Sequence, residues 1–195
     1  MRKSILYFLM SAVMFTGVSC ENRKTDDSKK RAEAQNEKKF NDSKIEKDAD
    51  FAVDAADGNM LELQLGTLAL TKSSSSQVKQ FAQMMVDEHT KANNELNALA
   101  QQKHIDLPTV LGIDHQKKYD DLKGKTGNEF DQEYLDLMVK DHKADIREFE
   151  EEAKDGKDPE IKAWASSKVP ALHHHLDEAE RAQVAVKNDD HQGRK

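Results

Sequence analysis

The sequence predicts an all-α fold, an antiparallel four-helix bundle with one extra short helix between the second and third long helices. Three features carry that expectation. The 195 residues include only 3 Pro and 8 Gly beside abundant Ala, Leu, Glu, Lys and Gln, a mixture that favours helix over strand. Four long stretches repeat apolar residues at steps of three and four, the period of one helix face. The breaks between them carry capping or stopping residues. No strand pattern and no clear internal repeat interrupts the series. The length suits one domain with a sizeable core.

In chain order, the first long helix is expected over 49–72 and ends in "KSSSSQ", where serines can cap the next one. The second is expected over 75–103. It stops at "HIDLPTVLG", because Pro108 disfavours helix at Leu107 and Gly112 loosens the chain. A short helix over 113–123 precedes "GKTGNEF". The third long helix covers 128–154 and ends at "DGKDPE", where Gly156 and Pro159 supply a stop and a start. The fourth covers 159–187 with a kink expected at Pro170, and 188–195 reads as a frayed tail.

The N-terminal region reads differently. Residues 1–20, "MRKSILYFLMSAVMFTGVSC", have a basic start at Arg2 and Lys3, an apolar run from Ile5 to Val13 and small residues before Cys20, as in a secretory signal peptide. The run is too short for a membrane span, which needs about 20 residues. Cys20 is the single cysteine, so it forms no internal disulfide. Its setting after Gly17-Val18-Ser19 resembles the lipobox of bacterial lipoproteins, with Gly17 where leucine is usual. The reading is a lipid-anchored protein of the cell envelope, periplasmic or outer-membrane, with Cys20 lipidated; the alternative is a secreted protein with a free thiol.

Residues 21–48 hold nine Lys/Arg and eight Asp/Glu, and Phe40 and Ile45 are their only large apolar side chains. Such a segment buries too little apolar surface to offset the entropy of ordering it, so it reads as a disordered charged tether. Without the signal the chain keeps 28 basic against 37 acidic residues. That balance disfavours a nucleic-acid partner, and nothing in the sequence specifies a protein partner.

Each long helix carries one ionisable residue on its apolar stripe. The stripes are Ala55, Gly58, Glu62, Leu65, Ala69; Val78, Ala82, Met85, His89, Ala92, Leu96, Leu99; Leu135, Met138, His142, Ile146, Phe149; and Ile161, Ala165, Leu172, His175, Ala179, Ala182, Val186, where Lys168 also breaks the pattern. Each of the four residues lies within a few positions of its helix midpoint, and three positions are only about 4.5 Å of rise. Packed side by side, the helices would bring Glu62, His89, His142 and His175 to one level. One carboxylate and three imidazoles suit a divalent transition metal such as Zn, Fe, Mn or Cu. The competing expectation is a buried polar lock that fixes helix register without metal. Asp87, Glu88, Asp141 and Asp145 are flanking acids, read either as supporting ligands or as a solvated face.

Other motifs carry less. In "LHHHLDEAE" one helix face cannot present three consecutive residues, so His173 and His174 belong to the surface. Trp164 and Phe149 read as core packing. There is no Gly-x-Ser-x-Gly elbow, and "GKTGN" is not a phosphate loop.

The segments "FAVDAADGNMLELQLGTLAL", "VKQFAQMMVDEHTKANNELNALAQQKHIDLP", "FDQEYLDLMVKDHKADIREFEEEAKDGKDPEIKAWA" and "VPALHHHLDEAE" resemble, in order, the four helices of the bacterial domain-of-unknown-function 4142 family. The resemblance spans 50–185. It implies a ferritin-like helical bundle, secreted or lipid-anchored, with a glutamate of the first helix at Glu62. It also implies acidic-His pairs at Glu88-His89 and Asp141-His142, and a histidine after Val-Pro at His175. It implies no activity. The usual ferritin-like di-iron signature, Glu-x-x-His on two helices, is missing here, since Leu65 stands three residues after Glu62. A mononuclear metal site, or a site without metal, fits better than a redox enzyme of the di-iron type. The leading expectation is therefore a metal-binding envelope lipoprotein, and the alternative is a non-catalytic interaction module.

Overall fold

The computed structural model describes residues 27–41 and 43–193, with side chains as far as 188. Among these residues there are six helices and no strand: α1 Ser28–Phe40, α2 Glu46–Lys72, α3 Ser76–Lys103, α4 Ile113–Lys123, α5 Gly127–Asp155 and α6 Pro159–Gly193. The sequence period placed the long helices to within a few residues at most ends, because caps mark those ends. Ser75 caps α3 by accepting from the Val78 amide at 3.4 Å. Asp158 does the same for α6, accepting from the Glu160 and Ile161 amides at 3.0 and 3.1 Å with Pro159 at the first helical position. At the end of α3, His104 turns left-handed at φ 59°.

Two expectations change. The last helix does not end at 187: α6 runs on to Gly193, with Pro170 inside it. The predicted tether 21–48 contains α1, a packed helix. The compositional reading counted apolar area and so missed a polar fit. Asn36 is 1% exposed. Its amide donates to the Asp106 carbonyl and accepts from the Asp106 amide, both at 2.8 Å. Ser28 accepts from the Thr109 amide at 3.0 Å, and Lys29 pairs with Asp54 at 2.5 Å. The loop after α3 has backbone groups that need partners, and α1 supplies them. The signal segment 1–20, Cys20 included, lies outside the described residues.

α2 packs along α3 and α5 along α6, with further contact between α3 and α6 and between α2 and α5. α1 and α4 lie against α2. This explains why Ala52, Val53, Ala56 and Asp57, off the predicted stripe, are buried too. The buried apolar side chains form two clusters. One gathers Leu65, Met85, Phe130, Tyr134, Met138 and Ala182; the other gathers Phe51, Leu96, Phe149, Ile161, Trp164 and Leu172. Along α2 and α6 the chain passes from the second cluster to the first; along α3 and α5 it passes from the first to the second. Glu62, His89, His142 and His175 stand at the junction on their four helices.

Buried polar clamps hold the connections. Asp48, 1% exposed, accepts from the amides of Lys157 (2.8 Å) and Asp158 in the α5–α6 turn. Asp57 accepts from the Gly112 amide and meets His115 of α4, both at 2.8 Å. Lys118 of α4 forms a two-point pair with Asp141 of α5, 3.1 Å to each oxygen.

If α1 is held by this polar fit, Asn36→Ala removes the partner of both backbone groups of the half-buried Asp106 and leaves a gap where the buried amide stood. It should lower unfolding free energy by about 2 kcal/mol, two hydrogen bonds at roughly 1 kcal/mol each. A shift of the urea midpoint at unchanged slope checks this.

Candidate metal centre

α2 brings Glu62 and, one turn earlier, Asn59; α3 brings His89, α5 His142 and α6 His175. The four predicted residues are 3%, 3%, 0% and 2% exposed, in the order Glu62, His89, His142, His175. They meet in one layer. The imidazole centroids lie 5.2 Å (His89–His175), 5.3 Å (His142–His175) and 6.0 Å (His89–His142) apart. One ring nitrogen from each histidine lies within 4.8 Å of the other two.

Hydrogen bonding fixes which nitrogens carry protons. His142 Nδ1 faces the Met138 carbonyl at 2.9 Å; a carbonyl only accepts, so Nδ1 donates. His89 Nδ1 faces Asn59 Oδ1 at 2.8 Å and donates there. His175 Nε2 faces the Glu88 carboxylate at 2.8 Å and donates to it. Burial, reinforced by His175, holds His142 down to about 3. Burial, then His175 and His142, keeps His89 well below the ordinary histidine range. Burial lowers His175 as well, against the opposing pull of Glu88. Three neutral rings that donate on these sides leave His142 Nε2, His175 Nδ1 and His89 Nε2 bare.

His142 Nε2 and His175 Nδ1 face each other at 3.2 Å, and His89 Nε2 is buried without any partner. Two nitrogens on one tetrahedral zinc ion, each at about 2.05 Å, are separated by roughly 3.3 Å. The His142–His175 pair therefore has the spacing of two ligands on one metal ion, with a nitrogen of His89 within 4.8 Å of both.

Glu62 lies on the other side of two of these rings. Its carboxylate oxygens are 3.2 Å from His89 Nδ1 and 3.3 Å from His142 Nδ1, and Oε1 has no hydrogen-bond partner. It adjoins the nitrogens that carry protons, not the bare ones. Burial, then Asp145 and Asp141, raises its carboxyl well above the usual range. With His142 and Asp145 it forms a second close group of ligand atoms, also within 4.8 Å.

Among the flanking acids, Asp87 is exposed and accepts from Gln83 at 2.9 Å, while Asp141 is spent on Lys118. Glu88, adjacent to His89 in sequence, instead reaches across to His175 of α6. Consecutive helix positions point about 100° apart, so spacing alone could not reveal this. Asn59 was also missed, although its place three residues before Glu62 put it on the same face. His173 and His174 are exposed, as their positions beside His175 predicted.

An all-helical domain with a buried His/Glu cluster able to hold a metal is the class that fold and site define. The chain belongs to the family described as Domain of unknown function (DUF4142), whose model matches residues 29–182. No curated protein and no solved structure matches the chain.

Asp145 carries a testable electrostatic cost. Burial, then Asp141 and Glu148, holds it up to about 7 from an ordinary 3.8. As pH rises through that window the unfolded chain gives up this proton before the folded one does, so stability falls and stays lower above it. In metal-free protein Asp145→Asn should match the parent near pH 4. It should exceed it by about 2 kcal/mol at pH 8, a figure reduced for screening because Asp145 is only partly buried. Urea unfolding at both pH values measures the difference.

Proposed function

We propose that this protein is a metal-binding module of the cell envelope, tethered to a membrane by lipid on Cys20. In this reading a ferritin-like four-helix bundle holds one divalent transition metal ion between His89, His142 and His175. The direction in which each helix crosses the two core clusters supports an up-down-down-up arrangement. α3 and α5 run the same way, and the segment containing α4 returns the chain between them. One such long crossover distinguishes ferritin-like bundles from up-down-up-down ones.

The observation that carries the metal is the pair of bare nitrogens of His142 and His175 at 3.2 Å. Two lone pairs at that distance repel unless a proton or a metal ion lies between them. A proton would make His175 a cation, bonded to Glu88 and to His142, and that is the polar-lock alternative. It leaves His89 Nε2 buried and orphaned, a cost of about 1–3 kcal/mol. A metal ion uses all three nitrogens. Asn59 then acts from behind His89 and Glu88 from behind His175, each accepting the ring's outer N–H, as carboxylates and amides commonly do behind metal-bound histidines, and Glu62 lies beside the Nδ1 atoms of His89 and His142. Zn, Fe, Mn and Cu all accept imidazole nitrogen. The signal-like segment ending at Cys20 and the acidic balance of the chain support the envelope location and a role without nucleic acid.

Elemental analysis of the full chain, purified without chelator, should find about one equivalent of transition metal. His89→Ala and His142→Ala should lose it while keeping helical circular dichroism. Glu62→Ala and Glu88→Gln should weaken binding about ten- to hundredfold. Chelator should lower the melting temperature of the parent and leave His142→Ala unchanged. A metal-free chain that binds none of the four ions on titration would leave the polar lock as the reading.

A further inference from the structure

α1 changes what the N-terminal region can do. Its N-cap is Asp27 and the helix begins at Ser28, so only the six residues 21–26 separate Cys20 from the folded domain. Fully extended, the chain from Cys20 to Asp27 reaches at most about 25 Å. A lipid on Cys20 therefore holds the first turn of α1 within that distance of the bilayer. The surface around that turn is the part of the domain that meets lipid first.

Two apolar side chains stand there in the open. Val110 is 59% and Ile113 45% exposed, two of the three exposed large hydrophobic residues among the described residues. Both lie in the segment that α1 grips. Thr109, next to Val110, gives its amide to Ser28. Gly112, next to Ile113, packs so closely that a Cβ there would lie 3.1 Å from Lys29 Cβ and 3.4 Å from Asp27 Oδ1. Their exposure does not come from a loose loop. Pro108, Leu111 and Gly112 are buried, Asp57 holds the Gly112 amide at 2.8 Å, and Ile113 opens α4. A backbone fixed on both sides thus presents Val110 and Ile113 outward beside the point where the chain enters the domain.

We infer, on the lipid reading of Cys20 given above, that Val110 and Ile113 dock on the bilayer that carries the anchor and sit in its interfacial layer. A lipid alone fixes only the distance of the domain from the membrane. Apolar side chains beside the attachment point also fix its orientation, because removing their area from water is favourable. The short connection makes the contact nearly intramolecular, so two side chains suffice where a free domain would need a larger patch. The nearest exposed charges in sequence, Lys30 and Asp114, are opposite in sign, so docking needs no anionic lipid. The metal layer plays no part in it.

Cys20 is the single cysteine and lipid occupies its sulfur, so an introduced cysteine can be labelled alone. Val110→Cys, Ile113→Cys and, as control, Val184→Cys would each carry a polarity-sensitive dye. Val184 is the third exposed residue; it stands on α6 beside Gln183, which bonds to Asp136 of α5. The lipidated protein would be returned to phosphatidylcholine vesicles containing a fraction of lipid with a spin label in its acyl chain. Interfacial groups lie about 5–10 Å deep, so the dyes at 110 and 113 should be quenched about threefold more than the dye at 184. A dye on Thr109→Cys should be quenched likewise, and should lose that quenching when Val110→Ser and Ile113→Ser are added. Equal quenching at all sites in protein that floats with the vesicles would overturn the docking alone, as would quenching at 109 that survives the two serines. Quenching that faded as added lipid diluted the protein would assign the contact to a second copy and overturn it too. Protein that fails to float, with the Cys20 thiol still reactive, would overturn the lipid reading and the docking with it.

Discussion

A carboxylate and three imidazoles meet at the centre of an otherwise apolar core, and the rest of the structure is arranged around satisfying them. Groups of this kind cost several kcal/mol each when desolvated without partners. Each imidazole therefore fixes a neighbour: His89 finds Asn59, His142 its own helix carbonyl at Met138, and His175 the Glu88 carboxylate. Sliding any long helix by one turn, about 5.4 Å, would set a histidine or Glu62 against leucine and phenylalanine. The layer thus sets helix register.

Holding four helices at one level needs connections that cannot drift, and buried polar clamps at the turns provide it. Asp48 seizes the α5–α6 turn from the start of α2, and Asp57 anchors α4 from the next stretch of the same helix. α1 closes the loop after α3 through Asn36. α2 is consequently the hub. It touches α1, α3, α4, α5 and α6, and its N-terminal half is buried nearly all round.

The site is kept at a cost to the fold. Glu62, Asp145 and Glu148 crowd one side of the layer and all have raised carboxyl values, chiefly through burial. On the other side the histidines are kept neutral, with lone pairs aimed inward. Groups whose proton affinities are pushed in opposite directions by one buried environment mark functional sites more often than structural ones. A cation placed between the bare nitrogens would relieve both strains at once. It would complete the histidines and stabilise the carboxylates that burial disfavours.

Much of this was legible in the residues themselves. Apolar period and capping residues determined the four long helices and the short α4, because local steric and hydrogen-bonding preferences act within a few positions. Glu62, His89, His142 and His175 were legible as one set because each interrupts its stripe near a helix midpoint. Contacts that join distant positions were settled only in three dimensions. α1 was hidden because its docking depends on single polar matches such as Asn36 with Asp106, which leave no periodic signal. Glu88 turned from a presumed neighbour of His89 into the partner of His175, since helix geometry swings adjacent residues apart. The place of Glu62 behind the rings, on their proton-bearing side, depended on ring rotation. The sequence by itself determined which residues enter the core; tertiary structure decided which atom of each faces which, because that depends on helix rotation and side-chain torsions that no spacing encodes.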